Sequence, residues 1–156
     1  MFVLVVAVGL TIGWLVGSSN SATVAAVGSP APNFTVELID GGTFTLSETR
    51  GQPVVLNFWA SWCAPCREEI PDISAYADSN PDVSVVGVAV RDIEENSRRF
   101  AYEIDASYPL ALGTSEVEDA YPAFGLPYTV IIDHNGVVTQ IFSGIVDENV
   151  LTDLVD

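Results

Sequence analysis

Trp62-Cys63-Ala64-Pro65-Cys66 contains both cysteines of the 156-residue chain. A short apolar run, Val54 to Trp59, precedes it, and apolar residues at helical spacing follow it from Ile70 to Ala77. Cys63 is therefore predicted where a buried strand is followed by a helix. At a helix N-terminus the unpaired backbone N–H groups and the helix dipole stabilise an anion, which lowers the pKa of a cysteine thiol. Cys66 lies one turn further along the same face, so the pair has the spacing of a dithiol that opens and closes.

Other roles for this cysteine pair fit less well. A structural disulfide across so few residues closes too small a loop to constrain the unfolded chain much. A zinc site needs four ligands, and beyond the pair the chain offers one histidine, His134, and no cysteine. Covalent haem attachment requires a histidine directly after the second cysteine, where Arg67 stands. The pair is therefore predicted to carry redox chemistry, and neither a metal nor another cofactor is expected.

The residues around the pair resemble a known active-site segment. The active-site segment of the thioredoxin superfamily is similar to Val54-Val55-Leu56-Asn57-Phe58-Trp59-Ala60-Ser61-Trp62-Cys63-Ala64-Pro65-Cys66-Arg67-Glu68-Glu69-Ile70-Pro71. The similarity is greatest to the TlpA/ResA-type branch of extracytoplasmic thiol-disulfide oxidoreductases. Gly125-Leu126-Pro127-Tyr128-Thr129-Val130-Ile131-Ile132-Asp133 resembles the cis-proline loop and following strand of that family. The resemblance runs from about Gly28 to the C-terminus. It implies a reductase in which Cys63 attacks a substrate disulfide and Cys66 resolves the mixed disulfide.

Hydrophobic periodicity predicts an α/β domain. Asn33 to Leu46 alternates around a glycine turn, which indicates an N-terminal β-hairpin. Val83 to Val90 is a continuous apolar run, typical of a strand buried on both faces. Strands at Tyr128–Asp133 and Val137–Phe142 are joined by a tight turn, and Asp147 is predicted to cap a final helix.

The stretch between Cys66 and Pro127 is predicted to contain one strand and two helices. The helices begin with capping-box spacing at Asp92–Glu95 and Ser115–Glu118, which makes Asp92 and Ser115 their predicted caps. By resemblance, this stretch is the insertion of the TlpA/ResA-type branch between the active-site helix and the cis-proline loop. The expected architecture is a thioredoxin-like fold, with a central mixed sheet flanked by helices and preceded by the β-hairpin.

The N-terminus differs from the rest of the chain. No charged side chain precedes Glu37, and residues 1–17 are almost wholly apolar. As a helix they would span about 25 Å, close to the roughly 30 Å hydrocarbon core of a bilayer. They are predicted to be a transmembrane signal anchor, with a cleaved signal peptide as the alternative because small residues follow at 24–26. Residues 18–32 are predicted to be a linker, and 33–156 the thioredoxin-like domain on the extracytoplasmic side of the cell membrane.

The net charge limits the partners. Aspartate and glutamate number 21 against 5 lysines and arginines, which gives a formal charge of −16. Such a surface repels phosphate groups, so nucleic acid is excluded as a partner.

The cis-proline resemblance implies a substrate-binding segment. From sequence alone an X-Pro bond is expected to be trans, whereas the family's matching proline is cis and faces the disulfide. Leu126, Pro127 and Tyr128 would then pair with an extended substrate segment by short β-augmentation. Trp62 beside the disulfide is either a substrate contact or a packing residue on the surface.

Glu69 is the third candidate catalytic residue. It lies three residues beyond Cys66, hence on the same side of the helix, and it matches an active-site glutamate of ResA-type proteins. If burial raises its pKa, its carboxylate can accept the proton of Cys66. The alternative is that Glu69, like Glu68, faces water near the start of the helix.

The predicted function is reduction of disulfides in protein substrates outside the membrane. By resemblance it belongs to cytochrome c maturation, and a membrane electron donor recycles the Cys63–Cys66 pair. Three alternatives remain: an oxidant of exported proteins, a thiol-dependent antioxidant enzyme, and a module that binds Cu(I) through the two thiolates. The only methionine is the initiator, which counts against the last alternative.

Overall fold

A seven-stranded mixed sheet forms the centre of the computed structural model, which describes residues 23–155. The strands are Thr35–Leu38 (β1), Thr43–Thr45 (β2), Val54–Trp59 (β3), Ser84–Ala89 (β4), Leu110–Leu112 (β5), Tyr128–Ile132 (β6) and Val138–Ser143 (β7). The helices are Ala64–Ser79 (α1), Glu94–Ile104 (α2), Ser115–Ala120 (α3) and Glu148–Val155 (α4), with a short 3-10 helix at Leu46–Thr49. The strand order is β2-β1-β5-β4-β3-β6-β7. This mixed sheet with flanking helices is the predicted fold class.

The central strand β3 is buried along its whole length, as its continuous apolar sequence predicts. It pairs in parallel with β4 and antiparallel with β6. Because successive side chains of a strand point to opposite faces, Leu56 and Phe58 lie on one face of the sheet, and Val55, Asn57 and Trp59 on the other.

The two faces of the sheet carry separate hydrophobic clusters. One cluster joins β3 to α1, α2 and α4 through Ile73, Phe100 and Leu151. The other cluster lies on the opposite face of the sheet and packs β3 against α3. It contains an aromatic group that comprises Phe34, Phe58, Tyr121 and Tyr128. The cysteine pair belongs to the first cluster, so the site is built on the face that α1 covers.

The N-terminal hairpin is attached through a strand that the sequence does not reveal. Between α1 and the cis-proline loop one strand is predicted, but the structure has two, β4 and β5. Strand β5 runs antiparallel to β1 and parallel to β4, so it joins the hairpin β1–β2 to the sheet. At three residues it is too short for a periodic signal. The next residue, Gly113, packs so closely that a side chain there would collide with the carbonyl oxygen of Ala89.

The helix caps differ from the predictions at two of three places. Asp92 does not form a capping box on α2, whose N-cap is Ile93 without a side-chain cap. Helix α3 is capped by the Thr114 hydroxyl, one residue before the predicted start. Asp147 caps α4 as predicted, because its carboxylate accepts a hydrogen bond from the Val150 amide at 2.8 Å.

Backbone groups of the predicted linker are hydrogen-bonded to elements of the domain. The amide of Ala25 donates to the carbonyl of Ala120 at 2.8 Å, and that of Gly28 donates to the carbonyl of Val138 at 2.8 Å. The later part of the predicted linker, residues 18–32, is therefore held against the domain, because its backbone groups pair with α3 and β7.

The predicted membrane anchor, residues 1–17, lies outside the described residues. Between residues 23 and 155, no helix is both long enough and apolar enough to cross a bilayer.

Candidate active site

The two cysteines form a disulfide at the N-terminus of α1. Cys63 is the N-cap residue of the helix, and its sulfur accepts a hydrogen bond from the Cys66 amide at 3.2 Å. Pro65 occupies the first turn, where its missing N–H costs no hydrogen bond. Cys63 is 4% exposed and Cys66 is 0% exposed. Of the two cysteines, only Cys63 therefore retains some contact with solvent.

Glu69 lies behind the disulfide on the same helix and is completely buried. One carboxylate oxygen accepts a hydrogen bond from the Asn57 side-chain amide at 2.7 Å, and the other accepts one from the Val146 backbone amide at 3.0 Å. Burial raises the pKa of Glu69 to about 7, although these two hydrogen bonds act in the opposite direction. The alternative in which Glu69 faces water is wrong, since α1 turns this side chain toward the sheet.

Three polar residues around Glu69 were not singled out from the sequence. Asn57 donates a second hydrogen bond to the Thr129 hydroxyl at 3.2 Å, and both residues are fully buried. Tyr108 is also buried, and burial together with the nearby Glu69 charge raises the pKa of its phenol above the ordinary range. The one sequence signal was that Asn57 is a lone polar residue in a strand of apolar ones.

The loop before Cys63 is tied to the loop that follows β4. The carboxylate of Asp92 accepts hydrogen bonds from the backbone amide of Ser61 at 2.6 Å and from its hydroxyl at 2.9 Å. The indole N–H of Trp62 donates to the Arg91 carbonyl oxygen at 3.0 Å. Trp62 is nevertheless 60% exposed, so its indole nitrogen is fixed while much of the side chain faces solvent beside the disulfide.

The Leu126–Pro127 peptide bond is cis, as the resemblance implies. Because β6 runs antiparallel to β3, this loop lies at the end of the sheet where β3 finishes and the chain turns toward Cys63. Tyr128 pairs with β3 on one side and β7 on the other, and the Pro127 carbonyl accepts a hydrogen bond from the Gly144 amide at 3.0 Å. Of the predicted pairing segment, Leu126 is the residue that lies outside these pairings.

An exposed groove borders Arg91, the residue to which the Trp62 indole is hydrogen-bonded. Its volume is about 230 Å³, and its walls include Arg91, Glu118, Asp119 and Phe124. Phe124 is 95% exposed, although it immediately precedes the cis-proline loop. The disulfide is thus flanked by loops that present aromatic side chains to solvent.

Comparison with known proteins places these features in a family. Residues 27–141 match the AhpC/TSA family. The chain is 32% identical over 156 residues to the thiol-disulfide oxidoreductase ResA of Bacillus subtilis (strain 168), covering 98% of this chain and 86% of ResA. It is 34% identical over 147 residues to ResA of Geobacillus kaustophilus (strain HTA426), covering 92% and 83%.

Solved structures agree with these sequence relatives. The fold is similar to the crystal structure of a thiol:disulfide interchange protein, a thioredoxin family protein from Chlorobium tepidum TLS, with a TM-score of 0.75. That match has 28% sequence identity and covers 85% of this chain and 97% of the other. The expected resemblance to the thioredoxin superfamily and its ResA-type members is confirmed, and the chain belongs to the AhpC/TSA family as a thiol-disulfide oxidoreductase of the thioredoxin fold.

Proposed function

We propose that this protein reduces disulfides in substrate proteins on the extracytoplasmic side of the membrane. The observation that carries the proposal is the asymmetry of the Cys63–Cys66 pair at the start of α1, where Cys63 alone reaches the surface. A helix N-terminus stabilises the thiolate that attacks the substrate. Because Cys66 is buried, it can react only in the second step, with the neighbouring Cys63.

The reaction consists of two thiol–disulfide exchanges. The Cys63 thiolate attacks one sulfur of the substrate disulfide, which forms a mixed disulfide and releases the other substrate sulfur as a thiolate. The Cys66 thiol then loses its proton, and its thiolate attacks the Cys63 sulfur. The Cys63–Cys66 disulfide forms again, and the substrate leaves as a dithiol that has gained two electrons.

Glu69 is proposed to accept the proton of Cys66. It lies one helical turn beyond Cys66 on the same helix, and its pKa of about 7 lets it gain and lose a proton near neutral pH. Its hydrogen bonds to Asn57 and Val146 hold the carboxylate in one orientation.

Substrate binding is proposed at the rim around the disulfide. An extended substrate segment would pair with the backbone of Leu126, next to the cis peptide bond of Pro127 and the first residue of β6, Tyr128. The exposed ring of Trp62 would contact the substrate from the other side.

The cellular setting is proposed from the sequence. The uncharged apolar segment 1–17 would anchor the protein, and the first part of the predicted linker 18–32 would connect it to the domain. A membrane electron donor would reduce the Cys63–Cys66 disulfide after each turnover. By the resemblance to ResA-type proteins, cytochrome c maturation is the proposed process. Membrane fractionation of the full chain, compared with a chain lacking residues 1–17, tests the anchor. Release of both forms into the soluble fraction would contradict it.

Trapping of the mixed disulfide tests the roles of the two cysteines. Reduced Cys66→Ser retains the attacking thiol but cannot resolve, so it should accumulate one covalent adduct with oxidised insulin, detected by mass spectrometry. Reduced Cys63→Ser should form none under the same conditions. An adduct with Cys63→Ser alone would reverse the roles, and the absence of adducts with both variants would remove the redox proposal.

A further inference from the structure

Two loops that meet beside the disulfide are joined by three hydrogen bonds that involve side chains. One loop, residues 60–63, leads from β3 to the first residue of the active-site helix. The other, residues 90–93, leads from β4 to α2. The residues that join them are Ser61, Trp62, Arg91 and Asp92.

Asp92 is the centre of this junction, because its two carboxylate oxygens accept four hydrogen bonds. One oxygen accepts from the Ser61 amide at 2.6 Å and from the Ser97 hydroxyl at 2.8 Å. The other accepts from the Ser61 hydroxyl at 2.9 Å and from the Ile93 amide at 2.8 Å. Two of the four bonds therefore reach across to the loop of Cys63, and two hold the start of α2. Burial raises the pKa of Asp92, but these hydrogen bonds outweigh it and hold the pKa below its ordinary value, so the carboxylate is charged at neutral pH.

Arg91 adds a second connection through its backbone. Its φ of 51° lies in the left-handed region, which a residue other than glycine adopts only when its surroundings hold it there. In this conformation its amide donates to a carboxylate oxygen of Glu118 at 2.7 Å, and its carbonyl accepts from the indole of Trp62 at 3.0 Å. The strained residue thus links α3 to the aromatic side chain beside the disulfide.

We propose that Asp92 is a positioning residue for disulfide exchange, which through Ser61 fixes the loop that presents Cys63 and Trp62 to the substrate. Ser61 is two residues before Cys63, so a loop that is free at Ser61 also frees the attacking sulfur. Displacement of a reacting atom by about 1 Å can cost up to about 100-fold in rate. The inference rests on the proposed role of Cys63 as the nucleophile.

A matched pair of serine variants separates positioning of Cys63 from support of α2. Ser61→Ala and Ser97→Ala each remove one hydroxyl that donates to Asp92, from opposite sides of the carboxylate. Asp92→Asn removes the negative charge that accepts the hydrogen bonds from Ser61 and from the start of α2. The full chain is assayed for reduction of insulin disulfides with dithiothreitol as the reductant, and kcat and KM are determined separately.

The proposal predicts that Ser61→Ala and Asp92→Asn each lower kcat by about tenfold with little change in KM, while Ser97→Ala stays within about twofold. The indole N–H resonance of Trp62 should shift in the first two variants and not in the third. Thermal melting identifies a variant that has lost its fold. If Asp92→Asn does not fold, the two serine variants decide the question.

Two results would overturn the inference. Equal losses in Ser61→Ala and Ser97→Ala would show that Asp92 only supports the start of α2, and unchanged kcat in Ser61→Ala would show that it does not position Cys63. Failure of the proposed function is distinguishable from either result, because the wild-type protein would then not accelerate insulin reduction beyond the rate with dithiothreitol alone.

Discussion

At the scale of single residues, the proposed chemistry depends on a carboxyl group that is buried away from water. Glu69 accepts two hydrogen bonds, and yet loss of hydration dominates and raises its pKa from the ordinary value of 4.5 to about 7. A group that titrates near neutrality one helical turn from the disulfide is expected to affect both the rate of exchange and the free energy of unfolding.

The first prediction concerns the rate of the resolving step. Glu69→Gln keeps the shape of the side chain but cannot accept the proton of Cys66. In the wild-type protein, the rate of product release from the mixed disulfide should rise with pH through about 7, because the carboxylate form increases over that range. In the variant the rate should be lower, and this rise should be absent. Single-turnover measurements from pH 5 to 9 test the prediction, and an unaltered profile would remove Glu69 from the mechanism.

The second prediction concerns stability in the oxidised state. Between pH 4.5 and about 7, folded Glu69 holds a proton that the unfolded chain has released, so the free energy of unfolding falls as pH rises through this window. The total loss corresponds to about 3 kcal/mol. Glu69→Gln has no carboxyl group to titrate at this position, so its free energy of unfolding lacks this dependence on pH. Urea unfolding at pH 5 and pH 8 covers most of this window, so the variant should gain about 2.5 kcal/mol relative to the wild type between the two pH values. A constant difference between the two proteins would mean that Glu69 has an ordinary pKa.

Some of these residues are predictable from the sequence and others are not. Cys63, Cys66 and Glu69 lie within one segment, so the spacing along one helix already places them on one face. Asn57 and Thr129 are far apart in the chain and meet because β3 and β6 pair in a register that puts them directly opposite each other. The register of these two strands is set by the packing of the whole sheet, so the contact between Asn57 and Thr129 cannot be read from either segment alone.

At the scale of elements, the spacing between strands and helices depends on a few close contacts. Gly87 in β4 is one of them: a β-carbon there would lie 2.6 Å from a methyl carbon of Leu110 and 3.1 Å from the indole nitrogen of Trp59. Trp59 in turn stacks on Phe100 of α2, with ring centroids 5.0 Å apart. A side chain at Gly87 would thus disturb β5, β3 and α2 together.

The third prediction tests this contact. Gly87→Ala should lower the free energy of unfolding by about 1–3 kcal/mol, as overpacking does in a dense core. Gly125→Ala is the matched control, because a β-carbon there meets no atom within 4 Å. Chemical denaturation of both variants gives the comparison. Equal stability of the two would show that the sheet accommodates the extra carbon.

The element boundaries also show where sequence patterns fail. Strands β3, β4, β6 and β7 are long enough for their apolar pattern to be recognised, whereas β5 has three residues and is specified by its neighbours on both sides. Asp92 has the spacing of a helix cap, but its carboxylate turns to Ser61 because the β3–α1 loop offers two donors at short distance.

At the scale of the whole molecule, the sheet separates two clusters with different roles. The cluster with α1, α2 and α4 contains the disulfide and the buried polar group around Glu69. The opposite cluster is an aromatic core closed by α3, and its described polar contacts are peripheral, such as the hydrogen bond from the Tyr121 hydroxyl to the Pro32 carbonyl at 2.6 Å. One face of the sheet therefore provides stability, while the other also holds the redox pair.

The reduction potential of the Cys63–Cys66 pair tests the central claim most directly. The full chain is equilibrated with glutathione or dithiothreitol buffers, and the fraction of disulfide is measured by thiol alkylation. The proposed reductase requires a value near or below about −250 mV, in the range of thioredoxin. A value near about −120 mV, as in a strong periplasmic oxidant, would contradict it and show that the protein makes disulfides instead.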